Sequence, residues 1–179
     1  MTTKQDPGAA RPAVGLHRIP VERLRAAVQA LVRGFGSSER EVDLVTDNLL
    51  QANLTGHDSH GVGMLPRYAN AWLEGGLAPN AQLVTRIDAG TLLALDGQKG
   101  FGQVIGHDAM RLGIARARQH GSCIVALANS HHLCRIGAWA EVTDLFLTHD
   151  LHALLTLSDM SRGARTTSAC AWRTSRASR

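Results

Sequence analysis

The sequence predicts an α/β fold with a helical N-terminal layer, on three observations. Two amphipathic stretches lie in tandem near the N-terminus. Short apolar runs at 83–87, 91–95 and 123–128 have the length of strands. A further helical stretch at 107–119 separates the second run from the third.

Each element has a local reason. Pro20 suits the first turn of a helix, where its missing N–H would be unpaired anyway. Leu24, Val28, Leu31 and Phe35 then recur at helical steps on one face, and Gly34 and Gly36 end the run. Ser38-Glu39-Arg40-Glu41 reads as a capping box opening a second helix, with Val42, Val45, Leu49 and Ala52 on its apolar side. A polar loop, GHDSHGVG at 56–63, follows. Pro66 can open a third helix through Tyr68, Ala69, Trp72 and Leu73, stopped by Gly75-Gly76. The runs LVTRI (83–87) and TLLAL (91–95) read as strands joined at Asp88-Ala89-Gly90. A glycine patch, DGQKGFGQVIG at 96–106, leads into the helix at 107–119, which Gly121 ends. CIVALA (123–128) reads as a buried strand because its apolar character is continuous. NSHHLCRIG (129–137) and the start of a helix at 138–141 come next.

Periodicity fails after Glu141. Residues 142–157 follow neither a period of two nor one of 3.6, and 158–179 show no strand pattern. The expected organisation is therefore a disordered N-terminus at 1–15, a folded unit at 16–141, and a tail at 142–179 that is unrelated to the rest. Such a tail has two readings, a shifted reading frame or a basic unstructured segment.

Composition narrows the function. An apolar fraction of 44% with 19% charged residues is that of a globular chain. The net charge of +4 is no nucleic-acid signature: residues 1–158 balance fourteen basic against fourteen acidic side chains, and the excess lies in the last 21 residues. No apolar run is long enough to span a bilayer, no signal peptide is visible, and the three cysteines form no CxxC. These point to the cytoplasm, with neither nucleic acid nor membrane as partner.

Two histidine clusters could carry chemistry. In His57-Asp58-Ser59-His60, an imidazole able to move protons near neutral pH sits beside a hydroxyl and a carboxylate that could orient it. In Asn129-Ser130-His131-His132, the loop follows a strand end, where α/β proteins place ligands. Each also reads as an ordinary polar turn. The histidines lack an HExxH arrangement, and no metal is expected. The glycine patch has GxxGFG where a dinucleotide fingerprint needs GxGxxG, and Asp96 precedes the glycines instead of following them, so a tight backbone crossing is the better reading. Arg67 could hold a carboxylate through two parallel hydrogen bonds, or could be an ordinary surface arginine.

Taken in order, GHDSHGVGMLPRY (56–68), Gly75-Gly76, LLALDGQKGFGQVIGHDAM (92–110) and NSHHLCRIGAWAE (129–141) resemble the type 2 malate/L-lactate dehydrogenases, whose nucleotide fold is not the Rossmann fold; Met64 resembles the hydroxycarboxylate dehydrogenase branch. The resemblance implies reversible hydride transfer between NAD or NADP and a 2-hydroxy/2-oxo acid, such as malate, lactate or a bulkier analogue. It implies His60 as proton donor and acceptor with Ser59 beside it, Asn129 and His132 near the nicotinamide, Arg67 as substrate anchor, and homodimers for full-length relatives. This chain departs from the pattern at three points. Met64 stands where many members carry arginine. Cys134 stands where glycine is expected, and a positive φ there would cost about 1 kcal/mol. Nothing after Glu141 can be followed, so the chain reads as a truncated and inactive or impaired fragment. Two other readings remain at this stage, a short non-enzymatic binding or assembly protein and a small metal-dependent hydrolase.

Overall fold

The computed structural model describes residues 18–139, 152–159 and 166–171. The expected disordered segment at 1–15 lies outside them, as does much of the tail.

Helices α1 (Val21–Gly34) and α2 (Glu39–Leu54) pack on each other as the N-terminal layer. The buried face of α1 is Val28 and Val32, continued by Phe35; Leu31, expected on that face, is 40% exposed. The reason is angular, because Val28 and Val32 are one full i,i+4 step apart and leave Leu31 rotated toward solvent. The expected capping box does not close. Ser38 is the N-cap but its hydroxyl caps nothing. Asn80, from a distant loop, takes over: its Oδ1 accepts the Ser38 N–H (2.7 Å), its own N–H donates to Glu41 Oε2 (2.9 Å), and its Nδ2 donates to the Gly36 carbonyl (2.8 Å). A tertiary contact has replaced a local one: it satisfies the Ser38 N–H, the orphan donor that the Glu41 carboxylate was expected to take.

Two single-turn 3-10 helices, Asp58–His60 and Val62–Met64, lead into α3 (Leu65–Leu73), which buries Tyr68. Strands β1 (Val84–Ala89) and β2 (Leu92–Asp96) form an antiparallel hairpin whose turn places Gly90 at φ +64°. Helix α4 (Gly102–His120) starts five residues before the patterned stretch at 107–119, so the glycine patch supplies its first turn. Gly121, at φ +81°, caps it by donating to the Ala117 carbonyl. The Arg116 guanidinium forks onto Asp88 (2.5 and 2.6 Å), tying α4 to the hairpin. Strand β3 (Ser122–Ala128) then pairs parallel to β2, completing the strand–helix–strand unit.

The reading of β3 as buried on both faces is corrected. Cys123, Val125 and Leu127 are buried under α4, whereas Ile124 on the opposite face is 46% exposed. The strand is apolar throughout, but α4 covers only one side.

The sheet continues with β4 (His152–Asp159), parallel to β3, and β5 (Thr166–Ala171), antiparallel to β4, giving the order β1-β2-β3-β4-β5. Strand structure therefore does occur past residue 141, at positions where no strand pattern was expected. Pairing is backbone hydrogen bonding to a partner already in place and does not require alternation in the added strand. Two cores result. One is centred on α1, α2, Tyr68 and Phe101; the other lies between α4 and the sheet.

Candidate active site

The site forms where two loops meet. The first follows α2. Asn53, on the last turn of that helix, reaches over the turn at 57–62: its Nδ2 donates to Asp58 Oδ1 (2.6 Å) and its Oδ1 accepts the Val62 N–H (2.8 Å). Gly61 permits this, since a Cβ there would lie 2.1 Å from Asn53 Oδ1. The turn holds His60 half-buried and leaves Ser59 exposed beside it, with Ser59 Oγ 2.9 Å from His60 Nδ1. Nδ1 is thereby the ring nitrogen engaged within the turn.

The second loop, residues 129–134, leaves the end of β3 and crosses the glycine patch. Lys99 N–H donates to the Asn129 carbonyl (2.7 Å), Gly97 N–H to the Ala128 carbonyl (2.8 Å), and His131 N–H to the Gly100 carbonyl (2.9 Å). The approach is close: a Cβ on Gly97 would lie 2.8 Å from Ser130 Cβ, and one on Gly102 would lie 2.1 Å from the His132 carbonyl oxygen. The glycines serve the protein's own backbone, as the tight-crossing reading expected. Four residues adopt left-handed φ here without being glycine: Gln98, Lys99, Asn129 and Cys134.

The crossing brings the two histidine clusters together. The rings of His60 and His132 stack with centroids 5.5 Å apart and an interplanar angle of 22°. Asn129 is exposed and donates from Nδ2 to Asp96 Oδ1 (2.9 Å). Arg67 is exposed on α3 and makes no hydrogen bond or ion pair among the described residues. Of the residues singled out in the sequence, the structure joins Ser59, His60 and His132 directly; Asn129 is held through Asp96, and no contact links Arg67 to the histidine pair.

Several supporting contacts left no mark in the sequence, although the positive φ at Cys134 was expected. Asp96 accepts the Gln98 N–H (2.9 Å), pairs with Arg86 (2.8 Å) and anchors Asn129; these donors, in that order, hold its carboxyl well below the usual carboxylate range. Tyr68, Gln103 and Cys134 form a buried polar cluster beneath the loop. Gln103 Nε2 donates to Tyr68 Oη (2.8 Å) and Cys134 Sγ (3.0 Å), and Tyr68 Oη lies 2.9 Å from that sulfur. Burial pushes both the tyrosine hydroxyl and the thiol upward, so the cluster is uncharged at neutral pH. Asp58 and Asn53 are five residues apart and could have been suspected from spacing. The Tyr68–Cys134 contact, 66 residues apart, left no local signal. Among the described residues no three His, Cys, Asp or Glu side chains gather as a metal site, and no helix is long and apolar enough to cross a membrane.

A helical layer, a mixed sheet and a DSHG turn stacked on an NSHH loop, with no Rossmann glycine cradle, define a non-Rossmann dehydrogenase-like α/β domain. The chain belongs to the malate/L-lactate dehydrogenase family, which it matches over residues 19–157. That match runs on past Glu141 into β4. Hydroxycarboxylate dehydrogenase B of Escherichia coli K12 is 51% identical over 125 residues, covering 70% of this chain and 35% of that protein. The malate dehydrogenase of Pyrococcus abyssi is 39% identical over 123 residues, covering 69% and 34%. Among solved structures, malate dehydrogenase from Pyrococcus horikoshii OT3 superimposes with a TM-score of 0.67 at 32% identity, covering 71% of this chain and 36% of that one. The chain thus spans about a third of the length of the relatives it matches.

Proposed function

We propose that this chain carries the acid–base part of an oxidoreductase that transfers a hydride between NAD(P) and a 2-hydroxy/2-oxo acid. One observation carries the reading: the histidine of the DSHG turn and a histidine of the NSHH loop, 72 positions apart in sequence, meet as a stacked pair at the end of a sheet. In this reading His60 protonates the carbonyl oxygen of a 2-oxo acid from Nε2 and recovers the proton on oxidation of the hydroxy acid. Ser59 fixes the ring through Nδ1, accepting a hydrogen bond from it when the ring is charged. The half-buried setting restricts water around the transferring proton.

The nicotinamide cofactor supplies the hydride when bound. The residues fit one end of it. Asn129 and His132 would hold the nicotinamide beside His60. No phosphate cradle fits among the described residues, because the space over Gly97 and Gly102 is filled by residues 130–132 of the chain itself. The substrate carboxylate is assigned to Arg67, whose long side chain is exposed on the helix that follows the DSHG turn. A bulkier 2-hydroxy acid suits Met64, a half-buried apolar side chain four residues after His60. The protein is read as cytoplasmic and homodimeric, and the 179-residue chain as impaired in turnover because its described residues offer no place for the cofactor's phosphates.

The test has two parts. Titrating the 179-residue chain with NADH or NADPH and following nicotinamide fluorescence should give no tight, saturable binding; saturation would refute the impairment. In the full-length E. coli relative, alanine at the residue aligned with His60 should abolish most turnover, and retained turnover would overturn the acid–base assignment.

A further inference from the structure

Cys134 occupies a position at which a side chain is unfavourable. Its φ is +57°, the residue is 2% exposed, and the left-handed conformation is unfavourable for a residue with a Cβ. Such strain persists only where the surroundings over-determine it. Here they do so from two sides. The thiol lies between Tyr68 Oη and Gln103 Nε2, at 2.9 and 3.0 Å. On the backbone side, the Cys134 N–H points to His132 Nδ1 at 3.3 Å. An N–H can donate only to an unprotonated ring nitrogen, so this contact requires His132 to carry its proton on Nε2. His132 is in turn the ring stacked on His60.

We propose that Cys134 is a positioning residue for the histidine pair: Tyr68 and Gln103 hold its thiol, and its strained backbone fixes the tautomer and orientation of His132 against His60. The catalytic meaning of the arrangement rests on the acid–base reading of His60, whereas the arrangement itself does not. The chain of contacts runs from the core to the exposed hydroxyl of Ser59, through Tyr68 and Gln103, Cys134, His132 and His60. It explains why a cysteine is tolerated at a turn that favours glycine: the sulfur partners offset the conformational cost that the turn imposes.

The experiment is long-range nitrogen–proton correlation NMR on the full 179-residue chain with labelled histidine, at about pH 8, where imidazoles are neutral. Wild type should show His132 as a single Nε2–H form. Cys134→Ala should introduce the Nδ1–H form and shift the His60 Cε1–H resonance, and Cys134→Ser, which keeps a hydrogen-bonding side chain, should restore both. Cys123→Ala, a buried cysteine substitution under α4 away from the loop, should leave both resonances in place, which separates positioning from general loosening. If Cys134→Ala does not fold, Tyr68→Phe, which keeps the ring and removes one sulfur contact, should produce the same two shifts. The proposal is overturned if wild-type His132 is the Nδ1–H form, or if the folded variant leaves the His60 resonance unmoved. Neither reading uses turnover, so failure here is distinct from failure of the proposed reaction.

Discussion

Gly102→Ala isolates the crossing of the two loops. The new Cβ would stand 2.1 Å from the His132 carbonyl oxygen, 2.5 Å from its carbon and 2.8 Å from the His131 carbonyl oxygen. All three are backbone atoms, so no side chain can swing aside. A relaxed carbon–oxygen contact is about 3.3 Å, so the backbones must part by roughly 1.2 Å. Overpacking of this kind costs about 1–3 kcal/mol. The His131 N–H to Gly100 carbonyl bond, at 2.9 Å, would stretch beyond useful length and add about 1 kcal/mol. The gain in helix propensity from alanine, at most about 1 kcal/mol, does not compensate. Urea denaturation should show a midpoint lowered by the equivalent of about 2 kcal/mol with an unchanged slope, and the His60 and His132 ring resonances should both move. An unchanged midpoint would show that the loop has room to yield and would refute the account of the glycine patch.

Three further outcomes follow from the same geometry. Asn53→Ala removes the acceptor of the Val62 N–H and the donor to Asp58; a loss of about 1–2 kcal/mol and faster amide exchange at Val62 are expected, and unchanged exchange would show that the DSHG turn holds itself. Asp96→Asn should destabilise by about 1–3 kcal/mol at pH 7. Because the native carboxyl titrates below its unfolded value, that gap should narrow as pH falls below about 4, and a constant gap down to pH 2 would contradict the assignment. Tyr68 titrates above its unfolded value, so its contribution is intact below about pH 10 and declines above it by up to about 1.4 kcal/mol per pH unit; Tyr68→Phe should flatten that alkaline limb of stability, and an equally steep limb in the variant would remove Tyr68 as its source.

What the sequence disclosed depended on how local the physics was. Helices, turns and the glycine stops were legible because caps and periodicity act within a few residues. The DSHG and NSHH clusters stood out in the sequence as candidates, but their meeting did not, since it depends on a β2–α4–β3 crossover and on glycines whose only visible trait was unusual spacing. Leu31 and Ile124 were misplaced for one reason: apolar character shows that a residue can be buried, and only a neighbouring element decides whether it is. Asn80 illustrates the converse. A polar loop residue with no motif around it takes both ends of the capping arrangement that Ser38 and Glu41 announced. Strands β4 and β5 were missed because pairing, of β4 with the edge of β3 and of β5 with β4, supplies the order that their own sequence lacks.

Four of the five described non-glycine residues in left-handed conformation sit on opposite sides of one crossing, Gln98 and Lys99 on one strand exit, Asn129 and Cys134 on the other. Each segment would relax if released, by about 1 kcal/mol per residue, and the mutual hydrogen bonds prevent it. Neither half can therefore be learned from a peptide, nor assembled before its counterpart some thirty residues later has emerged. A nascent chain released before residue 132 would carry the DSHG turn, held by Asn53, without the ring that stacks on it.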